Sequence, residues 1–501
     1  MPWIKEEKLY PLLVLILIFI IAVRMPMDSD MWWHLRAGEE TLRSGEVYQV
    51  DTFSSSRLGD RWINHSWLSQ VLMALLLRVG NFPGLSIWVA ACAVLSLGLV
   101  YLQMEGHPLL RSAVLVLAAI VSSVVWSPRP QIMSLVLLGL LTWILYCYRK
   151  RRKWSYLLGV PLIMALWGNL HGGYVLGVIY LGGFVGGEIL DKILIKEQSG
   201  GLTWREIGLV AITTGAGLGL VLLNPFGFEI WKIPFKTVGV ETLQNLINEW
   251  SSPDFHQAFQ QPFLWMLLGL LGSLALTRKP LEGYRLVPIL LFTWAALVAR
   301  RNFGPFAIIS APALANQLQL VLKEWINKAR EANNEFDKFI RSAEANKESF
   351  NVTGRNLINL TLIGLLLAAA VIKTIQVNDP ALVSEVEREL FPVGAAKWLK
   401  TQDHSANIFN DYNWGGYLIY HAPEVPVFVD GRTDLYGDEI LNDYLDILFC
   451  KDSWLETLSE YELDLMIVRA DSCLKGLALA EGWQVFFEEG NSIVLGTGSL
   501  K

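Results

Sequence analysis

Two aspartates separated by one residue begin the stretch of this chain that is richest in reactive groups. Asp28 and Asp30 are followed closely by Trp33 and His34, and they come after an apolar run at residues 9–23 that could cross most of a bilayer. Ionisable side chains at such a depth usually belong to a functional site. We therefore predict that the two carboxylates belong to a functional site. The alternative is an interfacial belt, in which tryptophans anchor the chain and the carboxylates stay in water.

The composition is that of a membrane protein. Of the 501 residues 53% are hydrophobic and only 18% are charged, against about 25% in soluble domains. About 11 apolar runs divide residues 1–376, so we predict a polytopic α-helical domain in the cell membrane. Residues 67–77 form a shorter amphipathic run that we expect to lie flat in the interface. The net charge of −6 gives no support for nucleic-acid binding.

Basic residues set the expected orientation. The densest basic cluster, residues 149–153, should be cytoplasmic, and so should the N-terminus. This topology puts the first loop, residues 25–83, outside, and it puts the charged connection at residues 323–355 inside, as solvated helix. The last span then delivers residues 377–501 to the extracytoplasmic side.

Three outer arginines run against the usual orientation bias. Arg129, Arg300 and Arg301 fall outside on this topology, and binding of a donor phosphate would explain them. The alternative for Arg300 and Arg301 is a hairpin cap whose side chains snorkel. Other outer residues carry groups that could bind a sugar or an acceptor, namely Trp33, His34, His65, Asn169 and His171.

Residues 377–501 change character and predict a small extracytoplasmic α/β domain. Residues 385–399 have the pattern of an amphipathic helix, and residues 407–411 and 425–430 have strand-like patterns that each end in an acid. If this domain is outside the cell, Cys450 and Cys473 could form a disulfide.

Polar and aromatic groups at strand ends are where α/β folds place binding residues. A buried salt bridge between Asp430 and Arg432 would give the same sequence pattern. The candidates for sugar or acceptor binding in this domain are Trp414, Tyr417, Asp430 and Arg432.

These groups fit a substrate that is available outside the cell, a sugar linked to a polyprenyl phosphate. An apolar groove between spans would take the lipid, and a carboxylate would deprotonate the acceptor hydroxyl that attacks the anomeric carbon. Because the leaving group is already a phosphate, cationic stabilisation matters more than a general acid. The expected partners are the lipid-linked donor and membrane lipids, without nucleic acid, and the sequence names no acceptor.

The chain resembles the GT-C superfamily of polyprenyl-phosphate-sugar glycosyltransferases, and resembles most closely a group of bacterial membrane proteins of that type. Its C-terminal part is similar to the catalytic subunits of oligosaccharyltransferases. The motifs that carry the resemblance are Asp28-x-Asp30-x-Trp32-Trp33-His34-Leu35, Trp62-x-x-His65-x-Trp67-Leu68, Trp414-Gly415-Gly416-Tyr417-Leu418 and Asp430-Gly431-Arg432.

The resemblance implies an inverting hexosyl- or oligosaccharyl-transferase whose acid lies in the first outer loop. That acid falls on Asp30 or Asp28; we favour Asp30 as the base, with Asp28 orienting it or helping to hold a metal. The resemblance leaves open a divalent metal, Mg²⁺ or Mn²⁺, for which Asp28, Asp30 and Glu249 are the candidate ligands. The turn at residues 127–130 has no acid to add to them.

Two other functions compete with the enzyme. A transporter for a lipid-linked sugar would use similar groups, but transporters usually place ionisable residues near the membrane midplane. A non-catalytic scaffold would use the C-terminal domain to bind a glycan or a partner.

Overall fold

The computed structural model describes residues 6–194, 200–242, 247–277, 279–346, 352–402 and 407–498. A helical membrane domain is followed by a small α/β domain, which confirms the predicted fold class. The helices of the membrane domain are α1 (Glu6–Ala22), α2 (Met31–Ser44), α3 (Trp67–Tyr101), α4 (Pro108–Ser122), α5 (Gln131–Arg151), α6 (Gly159–Leu170), α7 (Tyr174–Leu194), α8 (Trp204–Leu220), α9 (Ile233–Gly239), α10 (Gln261–Leu276), α11 (Gly283–Val298), α12 (Phe303–Ala332), α13 (Asn334–Asn346) and α14 (Val352–Val377).

Eight helical segments within the described residues are long and apolar enough to cross a membrane. The shorter apolar helices α6 and α11, together with α1, account for the other predicted apolar runs. The chain is therefore a multi-pass membrane protein. The run at residues 67–77 is the first part of α3, and a kink at Asn81 (φ 48°), followed by Pro83, separates it from the part that spans. The charged connection is almost entirely helical where it is described, in the last part of α12, in α13 and in the first residues of α14.

The loops of the helical bundle gather at two ends. At one end Arg149, from the basic cluster, contacts Glu188 at 2.6 Å and Glu282 at 2.8 Å. At the other end the loop after α1, the turn between α4 and α5 and the connection between α9 and α10 meet, through contacts that involve Asp30, Arg129 and Glu249. The loops that carry the predicted site therefore converge.

The α/β domain stands at this second end. Its elements are α15 (Pro380–Leu390), α16 (Val393–Leu399), β1 (Asn407–Asn410), α17 (Tyr412–His421), α18 (Thr433–Leu448), α19 (Trp454–Glu460), β2 (Leu463–Arg469), α20 (Cys473–Ala480), β3 (Gln484–Glu489) and β4 (Ser492–Gly496). The sheet has the order β1-β2-β4-β3; β1 is parallel to β2, and the other pairs are antiparallel. A disulfide joins Cys450 and Cys473.

The domain shares a hydrophobic core with the membrane helices. The ring of Trp32 in α2 lies edge-on to that of Tyr417 at a centroid distance of 5.1 Å, and Tyr417 stacks on Phe391 at 4.9 Å. Aromatic pairs in these geometries add to the stability that burial gives. The α/β domain is thus packed against the first loop, residues 25–83, and not tethered to it by a linker alone.

Two local predictions are wrong. Residues 425–430 form no strand of the sheet; Val427 instead pairs with the first outer loop, donating its N–H to Phe53 O (2.9 Å) and accepting from Ser55 N (2.8 Å). The helix predicted at residues 385–399 is two helices, α15 and α16. Pro392 separates them, because proline constrains its own backbone and that of the preceding residue.

Candidate active site

A cavity of about 530 Å³ opens where the outer-end loops meet the α/β domain. Its walls include Asp30 and Trp33 from the first loop, Arg129 from the α4–α5 turn, and Glu249 and Arg301 from later connections. The volume falls within the range of small-molecule sites. The histidines predicted as binding residues, His34, His65 and His171, also line it.

The start of α2 fixes the two aspartates. Asp28 accepts a hydrogen bond from the backbone N–H of Asp30 (2.9 Å), and Asp30 is the N-cap residue of α2 without a side-chain cap bond. The Asp30 carboxylate is therefore free to point elsewhere, and its Oδ2 accepts from Arg129 Nη1 at 2.8 Å. Asp30 lines the cavity whereas Asp28 does not. Of the two, Asp30 has the position that a catalytic base needs.

Arg129 is the centre of a carboxylate cluster. Its Nε lies 3.3 Å from Asp28 Oδ2, its Nη1 contacts Asp30, and its Nη2 donates to Glu249 Oε1. The three carboxylates come from two separate stretches of the chain, and the guanidinium offers each of them a different nitrogen. Such charge-assisted bonds are about twice as strong as neutral ones. Arg129 therefore holds the first loop and the α9–α10 connection together.

Burial and charge move the pKa values of two cluster carboxyls in opposite directions. Burial, helped by the neighbouring Asp28 carboxylate, raises the pKa of Asp30 to about 6, although Arg129 opposes the rise. The pKa of Glu249 lies below its usual value. Burial alone would raise it, but the positive charges of Arg129 and Arg301 outweigh the effect of burial. Different environments for neighbouring carboxyls commonly accompany different chemical roles. Asp30 has the pKa of a base that works near neutral pH.

Burial favours the neutral form of the three histidines of the cavity. Burial lowers the pKa of His34 and His171 well below the usual value, and nearby Arg129 lowers both further. His34 Nδ1 lies 3.2 Å from Gln70 Nε2, and His171 Nδ1 lies 2.8 Å from Ser134 Oγ. Burial also lowers the pKa of His65, whose Nδ1 has no hydrogen-bond partner in the described part of the chain. These rings can therefore offer neutral donors and acceptors to a sugar.

Arg301 is the cavity's second cation, and it differs from Arg129 in its partners. Its guanidinium lies over the ring of Trp250 at 4.2 Å from the centroid, and its backbone N–H donates to Glu249 O at 3.1 Å. No carboxylate of the described residues lies within salt-bridge distance of it. Arg300, by contrast, lies near Phe259 (5.9 Å) and does not line the cavity. Of the three predicted arginines, Arg301 is thus the one available to an anionic ligand.

Two C-terminal candidates form the buried salt bridge that was the alternative prediction. Arg432 Nη2 contacts Asp430 Oδ2 at 2.7 Å, and Arg432 Nη1 contacts Asp51 Oδ1 of the first loop at 2.5 Å. All three side chains are fully buried and none lines the cavity. Their prediction as binding residues is corrected, because a charge cluster without access to the cavity holds the two domains together.

Three other predicted binding residues are also engaged in packing outside the cavity walls. Trp414 donates its Nε1–H to Leu390 O (2.9 Å), and Tyr417 donates to Glu387 Oε1 (2.8 Å). Asn169 accepts a hydrogen bond from Trp67 Nε1 at 3.0 Å. Their hydrogen-bonding groups are satisfied within the protein, so the structure corrects these predictions as well.

The glycines of the C-terminal motifs let the α/β domain approach the acidic stretch closely. A Cβ at Gly416 would lie 2.5 Å from Ser29 O, and a Cβ at Gly431 would overlap the Asp30 carboxylate and lie 2.9 Å from Trp33 Nε1. Real Cβ atoms do not tolerate such distances, so a side chain at Gly416 would require the backbone at Ser29 to move, and one at Gly431 would require the Asp30 carboxylate to move. These motifs complete the wall of the site through their backbone.

Sequence reasoning missed several residues of the cavity. Tyr412 and Asn413 line it from the α/β domain, and Trp250 lines it beside Glu249. Trp250 could have been found, since a tryptophan next to a candidate acid is a simple signal. Tyr412 and Asn413 could not, because no pattern in residues 412–421 predicts that they form a helix.

The carboxylates proposed for a metal surround Arg129 instead of an open position. Within the described ranges, no group of three or more His, Cys, Asp or Glu side chains could hold a metal ion. Asp28, Asp30 and Glu249 each contact a guanidinium nitrogen. The residues present do not fit the divalent metal that the sequence left open.

The fold has well-defined relatives among solved structures. No family model and no curated protein matches the sequence. The crystal structure of the oligosaccharyltransferase from Archaeoglobus fulgidus, in the apo form, superimposes with a TM-score of 0.56 at 14% identity, over 94% of this chain and 70% of that one. The same enzyme, AglB, in complex with an inhibitory peptide and a dolichol-phosphate, gives 0.55 at 14% identity, over 97% and 74%.

ArnT from Cupriavidus metallidurans, bound to undecaprenyl phosphate, is similar at a TM-score of 0.49 and 11% identity, over 97% of each chain. At identities this low, the likeness to the archaeal enzyme is one of fold. The chain therefore has the GT-C fold of membrane glycosyltransferases.

Proposed function

We propose that this protein is a membrane glycosyltransferase that moves a sugar from a polyprenyl-phosphate donor to an acceptor on the extracytoplasmic side. Asp30 is the base, and Arg301 binds the donor phosphate. The observation that carries the proposal is the pairing of these two groups in one cavity: a carboxyl with a pKa of about 6 and a cation without a carboxylate partner among the described residues.

The cavity supplies the groups that one inverting displacement needs. The acceptor oxygen forms a bond to the anomeric carbon while the bond from that carbon to the phosphate oxygen breaks, and the leaving polyprenyl phosphate takes the bonding electrons. Asp30 takes the acceptor proton, and the Arg301 guanidinium stabilises the charge that grows on the phosphate. Trp33, His34 and His171 line the same cavity and offer an aromatic ring and neutral nitrogens to the sugar.

The likeness of fold supports the choice of donor. The archaeal enzyme of this fold was solved with a dolichol-phosphate, which is a polyprenyl-phosphate-type lipid. A site at the end of a bundle of membrane helices gives the lipid access from the bilayer, because its chain can remain among apolar helices while its phosphate reaches the loops. The protein's partners are then the lipid-linked donor and the surrounding membrane lipids.

Two features support an extracytoplasmic site. The basic cluster at residues 149–153 lies at the opposite end of the bundle from Asp30, as the positive-inside rule requires if the site is outside. The α/β domain carries a disulfide between Cys450 and Cys473, and disulfides persist mainly in oxidising compartments.

The decisive experiment replaces the base without changing its size. Asp30→Asn should lower sugar transfer by about 10²–10⁴-fold, the usual contribution of a positioned base. Asp28→Asn should lower it less, because Asp28 acts through the Asp30 backbone and Arg129. Asp60→Asn is the matched control, since Asp60 lies in the same loop with its side chain 55% exposed.

The assay follows release of polyprenyl phosphate from a panel of polyprenyl-phosphate sugars by the reconstituted protein. Unchanged release by a correctly inserted Asp30→Asn variant would refute the catalytic assignment. Movement of labelled donor across the vesicle membrane without release of polyprenyl phosphate would instead favour a transporter.

A further inference from the structure

The carboxylate cluster surrounds a positively charged side chain, that of Arg129. Asp28, Asp30 and Glu249 are the side chains that a divalent metal would use, yet all three point at the guanidinium of Arg129. Metal ions of this class bind carboxylate oxygens at about 2.0–2.6 Å, with the ligands arranged around one point. The Arg129 guanidinium occupies the space between these carboxylates, because each of its nitrogens faces a different one.

We infer that Arg129 is the permanent cation of this cluster, in the place that a divalent metal could otherwise take, and that the protein needs no divalent metal. The part of this inference that concerns sugar transfer rests on the proposed function. The part that concerns metal binding does not.

A guanidinium suits a site in which one carboxylate must remain basic. Arg129 bonds to Asp30 through Oδ2 alone, and Asp30 Oδ1 makes no hydrogen bond within the described residues. A divalent ion carries twice the charge and would compete directly with the proton for the Asp30 oxygens. The single charge of Arg129 holds the cluster together and leaves Asp30 Oδ1 without a bond to it.

Arg129 is also difficult to displace. Three carboxylates surround its guanidinium, and each contacts a different nitrogen. Its Nε also donates to Ser127 Oγ (3.0 Å), which fixes the side chain to its own turn. An entering metal would have to break several charge-assisted bonds at once.

Metal binding is the direct test. The full chain in nanodiscs, stripped with EDTA, is titrated with Mn²⁺, and bound ion is measured by electron paramagnetic resonance and by thermal unfolding. We expect the wild type to bind no Mn²⁺ at this cluster and to show no shift in Tm. Arg129→Met, which removes the charge but keeps an unbranched side chain, should bind one Mn²⁺ per chain and unfold at a higher temperature in its presence. Arg129→Met combined with Glu249→Gln should lose that binding.

Two results would overturn the inference. One is stoichiometric Mn²⁺ binding by the wild type that Glu249→Gln abolishes. The other is a folded Arg129→Met variant that binds no Mn²⁺. If Arg129→Met folds only with Mn²⁺ present, that dependence is the expected binding; if it does not fold at all, the wild type and Glu249→Gln decide alone.

The transfer assay separates this inference from the proposed function. Wild-type transfer should retain its rate in EDTA. If transfer is observed but disappears in EDTA and returns with Mn²⁺, the inference fails while the glycosyltransferase remains. If the wild type binds no metal and releases no polyprenyl phosphate from any donor, the proposed function fails while the assignment of Arg129 stands.

Discussion

Gly431→Ala should inactivate the protein although Gly431 has no side chain to contribute. Gly431 lies against the Asp30 carboxylate, and a Cβ added there would overlap Oδ1, with Cγ only 2.7 Å away. Its backbone does not need a positive φ, so alanine introduces no backbone strain of its own. The substitution therefore perturbs the base and not the local conformation.

The size of the effect follows from these distances. Two carbon atoms rest at about 3.5–4.0 Å, so the Asp30 carboxyl must move by roughly 1 Å to accept the new methyl group. The bond from Arg129 Nη1 to Asp30 Oδ2 is 2.8 Å long, and such a displacement stretches it beyond hydrogen-bonding distance. Trp33 Nε1, at 2.9 Å from the added atom, is a second contact that is too close. Misplacing a catalytic group by 1 Å costs about 100-fold in rate, and we expect a loss of that size.

The assay compares Gly431→Ala with Gly476→Ala. Gly476 is in α20 of the same domain, and a Cβ there meets nothing within 4 Å, so this control should keep the wild-type rate. Initial rates of polyprenyl-phosphate release are measured at matched amounts of correctly inserted protein. A wild-type rate in a folded Gly431→Ala variant would refute the reasoning, and so would an equal loss in Gly476→Ala.

Three further predictions follow from the cavity and the domain contact. Because the active form of Asp30 is the carboxylate and its pKa is about 6, kcat/KM should fall about tenfold per pH unit below pH 6, and a fall that begins only near pH 4 would contradict the assignment. Arg301→Gln should lower kcat/KM by about 10²-fold through lost stabilisation of the phosphate, whereas Arg300→Gln, outside the cavity lining, should leave it unchanged. Arg432→Met should lower the free energy of unfolding by about 3–5 kcal/mol, measured by chemical denaturation in detergent, because it leaves Asp51 and Asp430 buried without their cation.

The membrane domain and most of the site's first loop were predictable from the sequence. Hydropathy finds the spans because each must bury its own backbone bonds in about 20 apolar residues. The distribution of basic residues among the loops then assigns each loop to one end of the bundle. Asp30, Arg129 and Arg301 were assigned to the same end, and they do line one cavity. Charge bias could not distinguish the roles of Arg129 and Arg301, because that depends on which carboxylates lie within reach in three dimensions.

The α/β domain was harder because its motifs contain residues with opposite roles. Residues 412–421 form a helix, with Tyr412 and Asn413 at its start facing the cavity and Trp414 and Tyr417 buried against other helices. Unless the helix is known, the sequence does not indicate which aromatic residues of this run face the cavity and which are buried against other helices. The Asp430-Gly431-Arg432 run misleads in a similar way, since its charges are buried and its glycine is the residue that meets the site.

The close contact between the first loop and the α/β domain also determines which experiment can distinguish an enzyme from a non-catalytic scaffold. Arg432 holds Asp51 of the first loop, Val427 pairs with Phe53, and Gly431 forms part of the wall beside Asp30. Deleting the residues after Gln376 would therefore disturb the catalytic loop as well as any binding surface, and loss of function in such a truncation would fit an enzyme and a scaffold equally. Asp30→Asn leaves the Arg432–Asp51 and Val427–Phe53 contacts in place, because neither uses the group that it alters, and the amide keeps the size of the carboxylate that Gly431 lies against. Loss of transfer in that variant, with the domain still protected from protease, can arise only from the chemistry of the cavity.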